Sequence, residues 1–350
     1  MKSKKNVLQF ILSLIIVIAC LYYLFEELSW SDFSRTLKET DLRYVMLAFI
    51  FMTISFIIRI TRWKYLLISI KDISFRRLLS PMFIGFMANI LPARAGEFLR
   101  AWILQKREKS VPFTAAFGSV VLERVFDMMT ILLFMTFFLL FGDLTSNHNG
   151  GSDKIMGLVH KLGNASILLL IILSGFVWCV YKYPDKIAIM GKRILNPLSQ
   201  KFADIFESLI QSFSKGFSVL DSFKRLMIVF VLSFFVWVFS FISLYVLLYA
   251  FPGSVPQNPF SASGLLLIAI TGSTFVPSPG YIGPYQVACQ WVLSEHYGFS
   301  KAVGVGYGLL HWSIGMVPII VIGIIFLYLE NISLKDISSI KEGAKKNEDK

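Results

Sequence analysis

Residues 89–100 read Asn89-Ile90-Leu91-Pro92-Ala93-Arg94-Ala95-Gly96-Glu97-Phe98-Leu99-Arg100, straddling the end of an apolar run at 78–93 and the start of a basic stretch at 94–109. The run is too short for an ordinary crossing, because a spanning helix needs roughly 17–25 residues. Pro92 lacks an amide donor and clashes with the preceding turn, so it ends an inbound half-helix. Gly96 permits a tight return. The segment predicts a hairpin that enters the membrane and comes back on the same side. Charge counts agree, with six Lys/Arg in 59–77 and five in 94–109. A full crossing at 78–93 would put these basic loops on opposite faces, against the tendency of Lys and Arg to stay cytoplasmic. Eight ordinary spans with one misplaced basic loop is the alternative.

The rest of the chain supports a membrane setting. Its 350 residues are 55% hydrophobic and 16% charged, with 33 Phe and a formal charge of +12. Soluble domains run roughly 45–50% apolar and about 25% charged. A soluble enzyme, a disordered tail and a disulfide scaffold are excluded. Full-length apolar stretches lie at 7–25, 44–60, 110–142, 162–181, 226–251 and 302–329. Val17-Ile18-Ala19-Cys20 loosely matches a lipoprotein cleavage box, but the apolar run continues to Phe25 and reads as an uncleaved span. A second short run, 261–276, also ends in a Pro/Gly cluster. By parity it opens a hairpin, 261–300, from the opposite face. The expected fold is all-α: a polytopic bundle of six spans and two oppositely oriented re-entrant hairpins, resembling an inverted repeat. Residues 1–330 form one membrane domain, and 331–350 a polar tail. The segment 182–225 is cytoplasmic and amphipathic, its face carried by Phe202, Ile205, Phe206, Leu209, Ile210 and Phe213. Placing the basic loops inside puts both termini on the cytoplasmic side of the cell membrane. Most of the positive charge then sets topology and meets anionic headgroups, so no nucleic-acid partner is needed.

Charges at membrane depth normally face a cavity or one another. Glu97 and Arg100 share a face of the outbound half-helix, whose first turn offers free amides to an anion, with Arg94 just before it. Glu123, Arg124 and Asp127 interrupt the run at 110–142. Arg94, Arg100 and Arg124 balance Glu97, Glu123 and Asp127, which a purely structural salt-bridge network would also do. The functional reading is that the arginines receive a phosphate, for which a planar guanidinium is suited. An anion entering a neutral cluster would then favour proton uptake by a carboxylate. Asn89 adds a polar group at the tip. The second tip reads Phe275-Val276-Pro277-Ser278-Pro279-Gly280-Tyr281-Ile282-Gly283-Pro284-Tyr285-Gln286, and no charged residue occurs from Leu226 to Ser294. Pro277, Pro279, Gly280 and Gly283 shape that tip, while Tyr281 and Gln286 can touch a headgroup. Gly304, Gly308, His311 and Gly315 line one helical face suited to close packing, including a second copy of the chain. His311 adds a hydrogen bond there. The three Cys and four His show no ligand spacing, so no metal and no cofactor are expected.

At these motifs the chain resembles the lysylphosphatidylglycerol synthase transmembrane-region family of flippase-like membrane proteins. The residues concerned are Asn89, Pro92, Arg94, Gly96, Glu97 and Arg100; Glu123, Arg124 and Asp127; and Pro277, Pro279, Gly280 and Gly283. Many relatives carry a Gly and a Glu where Tyr281 and Gln286 stand here. The resemblance implies movement of an anionic phospholipid or polyprenyl-phosphate-linked lipid between leaflets, or service to a polyprenyl-phosphate sugar pathway. The synthases' aminoacyl-transfer domain is absent from these residues, so lysyl transfer is not expected.

Overall fold

The computed structural model describes residues 15–26, 28–68, 70–90, 96–142, 164–175, 178–179, 182–197, 200, 207, 223–251 and 253–332. In chain order the helices are α1 (Ile15–Phe25), α2 (Trp30–Glu39), α3 (Leu42–Leu67), α4 (Phe75–Ala88), α5 (Gly96–Arg107) and α6 (Phe113–Phe141). They continue as α7 (Asn164–Gly175), α8 (Pro184–Leu195), α9 (Phe223–Leu248), α10 (Pro259–Ser273), α11 (Pro284–Gln290) and α12 (Lys301–Leu329). Four of these, α3, α6, α9 and α12, are long and apolar enough to cross a membrane. The spans expected at 7–25 and 162–181 are described in part, as α1 and α7. The chain is a helical membrane protein.

Each half repeats one order: an apolar helix, a surface helix, a span, a hairpin of two short helices, and a span. With α1 and α7 counted as the spans expected from the sequence, three crossings per half would invert the second half relative to the first and bring the hairpins α4–α5 and α10–α11 in from opposite faces. At 14 residues α4 reaches about 21 Å, well short of a hydrocarbon core of roughly 30 Å. Local signals start these elements. Asp41 caps α3 by accepting from the Arg43 amide at 2.9 Å, and Asn258 caps α10 through the Ser261 amide at 3.1 Å. Pro259 and Pro284 occupy first-turn positions where no donor is missed.

Both returns use one device. In the first hairpin the arms touch through glycine: a Cβ on Gly96 would lie 2.1 Å from the Gly85 carbonyl oxygen. The Asn89 side chain closes the loop, its Oδ1 accepting from the Gly96 amide at 3.0 Å. In the second, Gly280 and Gly283 take left-handed φ of 59° and 92°, and the Gln286 Oε1 accepts from the Gly283 amide at 2.8 Å. Tyr281 shares the left-handed region at φ 63°, a strained position for a side-chain-bearing residue. Beyond Gln290 the outbound arm widens into a π turn, Trp291–His296. The tips meet, with the site of a Gly280 Cβ 3.4 Å from Ile90. Pro92 and Arg94 lie outside the described residues.

Helix α12 is the spine between the hairpins. Its first half lies under α11, where a Cβ on Gly304 would come 2.8 Å from the Gln290 Cα and one on Gly308 3.1 Å from the Gln286 Cα. Its second half lies along α4, with Gly323 against Met87. The face expected to receive a second copy is therefore covered at Gly304 and Gly308 by the chain's own α11. Gly315 instead faces Met52. Two boundaries also move. The span expected at 44–60 continues to Leu67, and the expected polar tail begins with Ile332 buried against Ile84, Leu99 and Ile103. In the 182–225 segment, Ala188 of α8 packs in the core beside Val229. The expected apolar face at 202–213 lies outside the described residues, apart from Glu207.

The base of the first hairpin is tied by Glu108, which accepts from Lys71 at 2.6 Å and from Arg77 at 2.8 Å. Those hydrogen bonds hold the Glu108 carboxyl below the usual carboxylate range, Lys71 contributing most. A depressed carboxyl stabilises the fold above its unfolded value of about 4.3 and loses that contribution as pH falls through the folded value. Glu108→Gln should therefore melt below wild type near neutral pH. The difference should close in acid, as detergent-phase melting curves from about pH 3 to 7 will show. Gly96→Ala forces its Cβ onto the Gly85 backbone and should cost at least about 1–3 kcal/mol in the same assay, the usual cost of overpacking.

Candidate functional site

The charged residues of the first half converge between α3, α5, α6 and α9. Helix α6 presents Glu123 and Asp127 four residues apart on one face, both buried. Arg62 of α3, with no solvent exposure, bridges them. Its Nη1 donates to the Asp127 Oδ1 at 2.6 Å and its Nη2 lies 3.0 Å from the Glu123 Oε1. The same guanidinium donates to the Ser233 Oγ of α9 at 2.9 Å. One turn earlier, Arg59 stands 3.8 Å from Asp127 and 5.3 Å from the Trp237 ring centre, while the Trp237 Nε1 donates to the Asp127 Oδ1 at 3.2 Å.

From α5, the Arg100 Nη2 donates to the Glu123 Oε2 at 2.7 Å, and its guanidinium lies 3.7 Å from the Trp63 ring centre. That ring is itself fixed, its Nε1 donating to the Ser119 Oγ at 2.9 Å. Arg124 closes the cluster, 3.0 Å from Glu123 and 3.4 Å from Asp127. Its side chain is 40% exposed, whereas those of Arg62, Arg100, Glu123 and Asp127 are all within 5% of full burial. It is the exposed edge of the cluster.

Arg59 and Arg62 change the charge sum expected from sequence. Four described arginines face Glu97, Glu123 and Asp127, leaving one positive charge in excess. Hydrogen bonding is also unbalanced, since four guanidiniums bring roughly twenty donors against about four acceptor sites per carboxylate. The Nε donors of Arg62, Arg100 and Arg124 are buried with no partner. A cluster with surplus charge and donors can take an anion without first protonating a carboxylate. A recess of about 10 Å³, lined by Gly85, Phe86, Asn89, Gly96, Glu97, Arg100 and Arg124, leads to it. That is about one water molecule, so anything larger needs the hairpin to move.

Of the sequence-predicted residues, Asn89, Glu97, Arg100 and Arg124 border this recess and Glu123 and Asp127 stand behind it. Arg94 lies outside the described residues. Gln286 packs under α12, and Tyr281 belongs to the second tip. Sequence reasoning missed Arg59 and Arg62, counting them as loop charges because the apolar run thins after Ile60. Their three-residue spacing on a helix with no break before Leu67 is the signal that finds them.

Fold and site together define a polytopic helical membrane protein in which two opposed re-entrant hairpins meet and one of them abuts a buried, cation-rich cluster. Residues 10–323 match the lysylphosphatidylglycerol synthase TM region, and the chain belongs to that family. A UPF0104 membrane protein of Pyrococcus horikoshii is 25% identical over 322 residues, covering 85% of this chain and 91% of its own. Another, from Methanocaldococcus jannaschii, is 32% identical over 143 residues, 40% of this chain and 41% of its own. Glycosyltransferase AglD of Haloferax volcanii is 30% identical over 106 residues, 29% of this chain and 16% of its own.

If the cluster is a tie between helices, removing one partner leaves a buried charge and should cost about 3–5 kcal/mol. Arg62→Ala should show that loss in a detergent melt. Arg62→Met combined with Asp127→Leu should recover part of it, because both ions of that pair are gone and Glu123 keeps Arg100 and Arg124.

Proposed function

We propose that this chain moves an anionic lipid, a phospholipid or a polyprenyl-phosphate-linked lipid, between the leaflets of the cytoplasmic membrane. In this reading both termini are cytoplasmic, and Arg124, Arg100 and Arg94 receive the phosphate. The observation that carries it is the excess positive charge of the buried cluster beside a hairpin tip. Charge at membrane depth is costly and normally marks an ion or substrate path. A guanidinium matches the paired oxygens of a phosphate or a carboxylate, which favours an anionic headgroup over a neutral sugar. Acyl chains need no polar route, and the apolar exterior of α7, α9 and α12 supplies one compatible with lipid. The first hairpin has to swing, since the recess in its closed position is only water-sized.

A second reading is service to glycolipid synthesis on a polyprenyl phosphate. Only the partial similarity to glycosyltransferase AglD favours it. The two separate in reconstituted vesicles carrying fluorescent phospholipid and polyprenyl-phosphate probes. Transport predicts probe movement with the lipid chemically unchanged, and Arg124→Ala should slow it about tenfold or more, the loss of one charge-assisted hydrogen bond. Probe movement that ignores Arg124→Ala would reject the phosphate site. A mass change in the probe lipid would favour the second reading.

A further inference from the structure

The second half has its own buried polar group where the first half has its charges. The first cluster draws on the span before the hairpin (α3), the outbound arm (α5) and the span after it (α6). In the second half those elements are α9, α11 and α12, and they bring together Ser243, Tyr285 and His311. The Tyr285 hydroxyl is hydrogen-bonded to the His311 Nδ1. The Ser243 Oγ lies 3.4 Å from the His311 Nε2 and donates to the Ala48 carbonyl at 2.9 Å. Since the hydroxyl proton of Ser243 is committed to Ala48, its oxygen accepts from Nε2–H. The Nδ1 is then the acceptor of the Tyr285 hydroxyl. One chain of donors therefore runs from Tyr285 through His311 and Ser243 to Ala48, and it is complete with a neutral imidazole.

The arm carrying Tyr285 has the features of a moving part. It begins after the left-handed Gly280, Tyr281 and Gly283 and ends in a π turn, a geometry common at functional sites. Closed, it leaves Ser278 Oγ, Gln286 Nε2 and Gln290 Oε1 buried with no partner. Each such group lacks the partner it would find in water, which weakens the closed packing against an open one. If the arm withdraws, Tyr285 leaves and the Nδ1 lone pair is uncovered.

We propose that His311 is a proton-binding site that couples proton uptake to opening of the second hairpin. This rests on the reading of the chain as a lipid transporter. The groups in contact with the His311 ring are Tyr285 of α11, Ser243 of α9, and Tyr307 of its own helix, whose ring lies 6.2 Å away. Helix α3 comes next in that chain of donors, its Ala48 carbonyl accepting from Ser243. No Asp, Glu, Lys or Arg occurs from Leu226 to Ser294, so the only charges on α9, α10 and α11 are Lys224 and Arg225 at the start of α9, about five turns before Ser243. A protonated ring has two donors and no acceptor, so it cannot keep the Tyr285 hydroxyl as a donor. Protonation and the closed arm therefore oppose each other, and acid favours the open state.

The test reads the tip of the second hairpin, which shifts if the hairpin opens. Spin labels at the exposed Phe275 and Tyr328, in a full-length chain lacking Cys20, Cys179 and Cys289, report the distance from the second tip to the far end of α12 in detergent. Lowering pH across the histidine range, about 8 to 5, should raise the population at the altered distance. His311→Gln should flatten that response. Tyr285→Phe keeps the imidazole but removes its covering donor, and should move the midpoint to higher pH. A wild-type distribution that ignores pH, a response that survives His311→Gln, or a midpoint unmoved in Tyr285→Phe would each overturn the proposal. Since no lipid is moved in this measurement, vesicles that fail to move lipid would reject the proposed function and leave this result standing.

Discussion

Two carboxylates on one face of α6 set the terms for everything packed around them. A bare carboxylate at membrane depth costs several kcal/mol, so each helix that touches Glu123 or Asp127 has to bring a donor. Helix α3 brings Arg59 and Arg62, α5 brings Arg100, and α9 brings Ser233 and Trp237. These demands fix more than contact. Arg62 reaches Glu123, Asp127 and Ser233 together only at one rotation and depth of α3, so the ion pairs set the register of three helices that smooth apolar surfaces would leave free to slide. Trp63, the next residue, then stacks on Arg100 and couples that register to the hairpin.

The hairpins meet a second constraint, the unpaired amides of a helix that starts inside the membrane. Lipid offers no acceptor, so the protein must. Asn89 does this for α5 and Gln286 for α11, each with a carboxamide oxygen. Neither side chain adds charge, so Glu97 is the charged group that the first turn of α5 itself brings to the recess beside it. The glycines explain how two backbone segments approach closely enough for this, and why Gly96 tolerates no Cβ.

The hairpins were legible because their causes are local: Pro and Gly at fixed places, arms too short to cross, and basic loops on both sides of the first. Glu123, Arg124 and Asp127 were legible because charge in an apolar run stands out. Arg59 and Arg62 were not, because what keeps them inside is a partner 65 residues away in Asp127 and another 171 away in Ser233. A local count sees two cations at the edge of a run and assigns them to water. The Tyr285–His311–Ser243 chain was hidden for the same reason, its members being 26 and 68 residues apart. The packing face at Gly304 and Gly308 was visible, but spacing could not say that its partner was α11 of the same chain.

The two missed arginines also relocate the proton. A neutral cluster that accepts a singly charged phosphodiester becomes negative, and a carboxylate there would be driven to protonate. With Arg59 and Arg62 the described cluster carries one excess positive charge, before Arg94 is counted, so the same anion does not make it negative. Glu123 and Asp127, each already held by at least two guanidiniums, gain nothing from a proton in that state. On the proposed reading the first half holds the headgroup without titrating. Any dependence on protons then has to arise at a titratable group that lacks a counter-ion, and in the second half, whose stretch 226–294 carries no charge, the proposed site at His311 is such a group.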